Sequence, residues 1–305
     1  MASRTAEYMA LFRALESGRP PARRLFEDRF AAGFLSAPMR PLVALSRPPF
    51  LGSSIRRLID RRWPGPRVSA TVRTRVIDEA LATGLTDGAR QLVLLGAGYD
   101  SRPYRIAGAD RIRTFEVDHP DTQAAKRRRL LRMLPTPPAG TTFVGIDFDR
   151  EDLGAALDRG GYRSDQRTFF IWEGVTNYLT ADAVDATFGW ISAHTAPGSR
   201  VAFTYVHRGL LDGSRRFSDS EQWVGAVRSA GEPFTFGFDP DQLSTYLAER
   251  GLRLLSDVST TEALDQYRSR LGNVPPPPAF YRVALATVEA AERTRGLQPA
   301  LGDPA

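Results

Sequence analysis

Cysteine is absent from the 305 residues. That absence removes disulfides, thiolate metal sites and a cysteine nucleophile, and it suits a reducing cytoplasm, the expected location. Histidine is scarce, with three copies, and no metal centre is expected. No apolar run reaches the length of a membrane-spanning helix. The first twenty residues, MASRTAEYMALFRALESGRP, are interrupted by Arg4, Glu7 and Arg13 and lack the apolar core of a secretion signal. No membrane partner is therefore expected. Apolar residues make up 42% of the chain and charged residues 25%, which excludes wholesale disorder. The formal charge is +6, mostly arginine spread along the chain. Its densest run, Lys126 to Arg129 with Arg132 beyond, reads as the solvated face of a helix. A nucleic-acid surface would interleave aromatics or carry a known module, and neither accompanies it.

Strand-like and helix-like segments alternate through the middle of the chain. Strands are expected near 91–95, 113–117, 142–146, 168–172 and 200–205, and two more near 253–258 and 281–287. Helices are expected between them, at 121–134, 151–159 and 181–195. Such alternation implies an α/β fold with a doubly wound, mostly parallel, Rossmann-like sheet. Residues 1–70 are expected to form a helical lid, with amphipathic stretches at 7–16 and 25–35 broken by prolines 38, 41, 48 and 49. A helix at 69–82 would deliver Arg73 and Arg75 to the first strand. The expected division is a lid (1–70), a cofactor-binding core (71–206), an aromatic-rich insertion covering the substrate (207–238), completion of the sheet (239–290) and a tail (291–305).

The stretch QLVLLGAGYDSRPYRIAGADRIRTFEVD, residues 91–118, carries the chemistry. A buried strand meets Gly96 and Gly98, and the next strand ends in Asp118, twenty residues after Gly98. Glycines admit a ligand close to the backbone, and an acid at the strand tip accepts from ribose hydroxyls. Glu116 shares the face of Asp118 but lies short of the tip. Ser101 stands where the dinucleotide fingerprint needs its third glycine, so a nucleoside ligand without phosphates is favoured. S-adenosyl-L-methionine is such a ligand, and a methyltransferase is the reading. A nicotinamide-dependent oxidoreductase shares part of the pattern and is the alternative. Gly96, Asp118, Asp147 and Glu173 all end strands, so topology alone collects them on one rim.

Five blocks resemble the leucine carboxyl methyltransferase family: VRTRVID (72–78), LGAGYDSRPYR (95–105), FEVDHP (115–120), GIDFDRED (145–152) and EGVTNYL (173–179). They occur in the family's order over about a hundred residues. The resemblance implies a class I methyltransferase fold using S-adenosyl-L-methionine. It places Arg73 on the cofactor's carboxylate, with Arg13 as a basic residue closing the site from the first helix. It places Asp147 on the adenine amino group, where Phe148 replaces the family's usual leucine. Glu173 would face the sulfonium and favour it electrostatically over the neutral product. Tyr178 would orient the acceptor. Of the histidines, His207, after the fifth strand, is placed to face an acceptor. The resemblance also implies carboxylate chemistry on a small-molecule, polyketide-like acid or a peptide. An ionised carboxylate needs no general base, whereas an alcohol would.

Overall fold

The computed structural model describes residues 4–290 except 135, 137, 138, 147–150, 219, 230 and 232. Helix α1 (Arg4–Ser17) buries Ala10, Leu11, Ala14 and Leu15 against Phe30, Phe34, Val43 and Ile59. The stretch 25–35 does not form the expected helix. The Asp28 carboxylate accepts from the N–H groups of Phe30 and Ala31, both at 3.0 Å. A side chain that captures these amides favours a turn over a helix, and only a 3-10 turn, Ala31–Phe34, follows. The prolines also act differently from expectation. Helices α2 (Arg40–Leu45), α3 (Pro49–Arg62) and α4 (Pro66–Thr86) each hold a proline in their first two positions. There the missing N–H costs no hydrogen bond, so proline starts a helix instead of breaking one.

The sheet then builds in chain order: β1 (Gln91–Leu95), α5 (Arg102–Arg105), β2 (Arg113–Asp118), α6 (Pro120–Met133), β3 (Thr141–Gly145), α7 (Leu153–Arg159), β4 (Thr168–Trp172), α8 (Ala181–Ala193) and β5 (Arg200–Val206). After it come α9 (Arg208–Leu211), α10 (Ser220–Ser229), α11 (Pro240–Ala248), β6 (Leu252–Ser259), α12 (Thr260–Leu271) and β7 (Tyr281–Val288). Seven strands form one sheet in the order β3-β2-β1-β4-β5-β7-β6. Strands β1 to β5 pair in parallel, and β7 runs antiparallel between β5 and β6. All five residues of β1 and of β4 are buried, as expected of central strands covered on both faces.

Helix α12 was not anticipated, although its start is written as Ser259-Thr260-Thr261-Glu262. The Ser259 and Glu262 side chains cap one another's backbone N–H groups. The aromatic-rich stretch after β5 also divides in two. Phe236 and Phe238 are core residues: Phe236 packs on Phe238, and Phe238 on Tyr246, Phe203 and Tyr205. Only the part around Phe217, Trp223 and Phe234 stands over Phe280 and Tyr281 as a partial cover.

Candidate cofactor and acceptor site

Register sets the rim. Leu95 pairs with Val117 and Leu94 with Ile171, so β1, β2 and β4 end almost level. Gly96, Asp118 and Glu173 therefore stand together at the carboxyl edge, at the point where strand order reverses. The N–H groups of Gly96 and Ala97 both donate to the Val117 carbonyl, at 2.9 and 3.0 Å, and tie the glycine turn to β2. Gly96 has φ +72°, and an added Cβ would stand 2.4 Å from Val175 Cγ2. Only glycine meets both demands.

Asp118 bridges the same two elements. One oxygen accepts from the Gly98 N–H at 2.5 Å and the other from the His119 N–H at 2.7 Å. Burial pushes its pKa up, against the pull of those two N–H groups. The N-cap of α6 is His119, whose Nδ1 accepts from the Asp121 N–H at 3.2 Å. Glu116 turns into the core instead of the rim. It is 1% exposed, pairs with Lys126 at 2.7 Å and accepts from the Tyr104 hydroxyl. This corrects the reading of the 126–129 run as wholly solvated. Lys126 is itself 1% exposed, because a buried carboxylate demands a counter-charge.

Behind the rim lies a chain of alternating charges. Arg73 from α4 donates Nε to Glu173 at 2.7 Å, and its guanidinium lies 4.8 Å from the Tyr281 ring centre. The second Glu173 oxygen accepts from Arg102 Nη1 at 2.8 Å. Arg102 also binds Asp100, at 2.5 Å, and Asp78, at 2.7 Å. Arg105 binds Asp78 as well. Arg13 donates to Asp28 at 2.9 Å and to the Tyr99 carbonyl at 2.6 Å, so α1 is tied directly to the glycine turn. Burial alone would raise the acids. Arg102 and Arg73 outweigh it at Glu173 and lower that carboxyl, while Arg102, Lys126 and Arg13 bring Asp100 down to about 2. Glu173 is thus the shared partner of two guanidiniums, and its charge is already balanced from within the protein. Arg75, two residues from Arg73, makes an outer bridge to Glu79 at 2.6 Å.

Tyr178 lies in a 3-10 turn, Thr176–Tyr178, with its ring 5.8 Å from that of Phe234. Trp223 stacks on Tyr281 at 6.2 Å. Fully buried Asn177 lies 3.5 Å through Oδ1 from the Tyr281 hydroxyl, and its Nδ2 has no partner among the described residues. The His207 ring lies 5.3 Å from that of Phe217 and is held by local contacts. Its Nδ1 caps α9 by accepting from the Gly209 N–H at 3.0 Å, and its Nε2 is 3.3 Å from Arg215. Burial, and then Arg215, lower its pKa. The ring is committed to a local turn. Asp147 and Phe148 lie outside the described residues.

The residues present suit S-adenosyl-L-methionine. Gly174, next to Glu173, has φ +72° and no heavy atom within 4 Å of where a Cβ would stand. Arg102 Nη2 is buried without a partner among the described residues, an unused donor for a carboxylate. Reading the sequence overlooked Arg102, Asp100 and Asn177. Arg102 and Asp100 lie within the block 95–105 and Asn177 within 173–179, but only contacts distant in sequence single them out.

Known proteins match this chain over most of its length. The leucine carboxyl methyltransferase family profile matches residues 6–192. A Frankia alni protein named as a candidate S-adenosyl-L-methionine-dependent methyltransferase is 36% identical over 227 residues, covering 73% of this chain and 77% of its own. A Streptomyces coelicolor protein with the same description is 35% identical over 248 residues, covering 81% of each. Among solved structures, a candidate methyltransferase from Thermobifida fusca superposes with a TM-score of 0.58 at 18% identity, covering 90% of this chain and 97% of its own. That likeness shows the fold. The matches set aside the nicotinamide alternative: the chain belongs to the leucine carboxyl methyltransferase family and is an S-adenosyl-L-methionine-dependent methyltransferase.

Proposed function

We propose that the acceptor atom is an oxygen, specifically a carboxylate oxygen of a small, partly apolar acid or of a peptide. The observation that carries this is the composition of the acceptor side. Tyr178, Phe234, Trp223 and Tyr281 form an aromatic wall near Arg73, with the unpartnered Asn177 Nδ2 among them. Such a wall suits an apolar body, and the buried Asn177 Nδ2 is an unused donor behind it. The aromatic lining favours a small molecule over a peptide terminus.

S-adenosyl-L-methionine supplies, when bound, an electrophilic methyl group on a positively charged sulfur. Asp118 would hold the ribose hydroxyls, and Gly96 and Gly98 would let the main chain approach. Arg102 Nη2, with Arg73, would hold the amino-acid carboxylate. Glu173 would keep those two guanidiniums in place. Asp147 and Phe148 keep the adenine role that the resemblance implies. Tyr178 would align the acceptor. A carboxylate is ionised at neutral pH and attacks without a base, so its demands on the protein are alignment and exclusion of water. His207, spent on its turn, is not needed for proton removal.

Methyl-labelled S-adenosyl-L-methionine incubated with the protein and a panel of aromatic acids, phenols and short peptides tests the reading. Label released from the product by mild base, as from a methyl ester, is expected. Label held in a base-stable ether or amine overturns the carboxylate assignment.

A further inference from the structure

Five of the eight exposed large apolar residues in the described chain lie between positions 45 and 63: Leu45, Phe50, Leu51, Leu58 and Trp63. Phe50 is 71% exposed and Leu58 67%. On α3 the outward positions Phe50, Ser54, Arg57 and Arg61, with Leu51 and Leu58 beside them, recur at helical spacing, while Gly52, Ile59 and Asp60 face inward. Residues 38–63 contain six arginines and a single acid, Asp60, which is buried and bound to Arg67 at 2.6 Å. The outward face is thus apolar and cationic with no acid. Ordinary solvated helix faces mix both signs.

Next to it in the chain, α2 walls a cavity of about 410 Å³. Its floor includes Val43, Ala44 and Met133, and Arg40, Arg47, Arg129 and Arg132 surround it. None of these four arginines forms an ion pair among the described residues. Arg40 and Arg129 donate instead to the backbone carbonyls of Leu35 and Phe34.

We propose that the α2–α3 face docks on an anionic phospholipid surface. Phe50, Leu51 and Leu58 enter the boundary between headgroups and acyl chains, the guanidiniums of Arg57 and Arg61 meet lipid phosphates, and the arginine-lined groove seats a headgroup. Charge complementarity selects this occupant. A second copy of the chain meeting the face across a twofold axis would set arginine against arginine. Nucleic acid would call for a run of stacking aromatics along a basic channel, whereas this face exposes two aromatics, Phe50 and Trp63, among three leucines. The docking involves no spanning segment, since no helix of the described chain is long and apolar enough to cross a membrane. The end of α3 leads to Gly65, where an added Cβ would stand 3.5 Å from the Trp223 ring. A docked bilayer would therefore lie beside the acceptor side, whichever acid is methylated.

Flotation of the full chain with vesicles tests the docking. Binding is expected to vesicles containing about a third phosphatidylglycerol and not to phosphatidylcholine alone. Arg57→Glu with Arg61→Glu should weaken it about tenfold or more, as should Phe50→Ser with Leu58→Ser. Added salt should weaken wild-type binding. Calorimetry with S-adenosyl-L-methionine should give the wild-type affinity for both double variants, which shows that they are folded and separates docking from catalysis. Equal binding to both kinds of vesicle, or to neither, overturns the proposal. So does self-association in sedimentation velocity, or retention on nucleic acid, that the same substitutions abolish.

Discussion

Asp118 arrives at the rim already oriented, because each carboxylate oxygen accepts one backbone N–H. The remaining lone pairs can receive a ribose diol without a further ordering cost. Asp118→Ala is expected to reduce cofactor affinity at least about tenfold, the order of one or two charge-assisted hydrogen bonds, read by calorimetry. Unchanged affinity would take Asp118 out of the site. Since burial raises its pKa, cofactor affinity should begin to fall at a higher pH than an ordinary aspartate would produce. Asp100 works in the opposite sense. Its carboxyl is held near 2 against an ordinary 3.8, so the stability it contributes is present above 3.8 and is lost as pH falls towards 2. Asp100→Asn should cost about 2 kcal/mol in urea unfolding at pH 7, and the gap to wild type should close below pH 2. Asp118 was legible in the sequence because an acid ending a β-run after Gly-x-Gly is a local pattern. Asp100 was not, because its partner Arg102 gains meaning only from Glu173, 71 residues away.

Two contacts between elements support the rim from behind. Lys126 on α6 neutralises Glu116 on β2 where both are buried. Lys126→Met should cost about 3–5 kcal/mol by leaving the carboxylate unpaired, and adding Glu116→Gln should restore part of it in denaturant unfolding. The other is the seat of Gly96 against Val175. Gly96→Ala should destabilise by about 1–3 kcal/mol. Val175→Ala on top of it relieves the close approach but not the positive φ, so only partial recovery is expected. At this scale the sequence was readable wherever periodicity was strong. The seven strands fall within a residue or two of their expected spans. It misled where a side chain competed with backbone bonds, as Asp28 does after α1. It also misled where proline's role depended on position within the helix, as at Pro41 and Pro49.

For the whole molecule, ligand binding and folding are one equilibrium. S-adenosyl-L-methionine at a hundred times its dissociation constant should stabilise the fold by about 2.7 kcal/mol, which for a chain of this size raises Tm by about 4 °C. A nicotinamide dinucleotide should leave Tm where it was. The sequence by itself determined the parallel sheet and the meeting of Gly96, Asp118 and Glu173 on one rim. Apolar runs ended by glycine or acid are local signals, and an α/β alternation collects strand ends on one edge. Only the tertiary structure decided that Glu173 is shared by Arg73 and Arg102, that Lys126 is buried, and that His207 serves a turn. The Glu173 pairs lie 100 and 71 residues apart and leave no periodic trace along the chain, while the fates of Lys126 and His207 depend on which neighbour burial brings within reach.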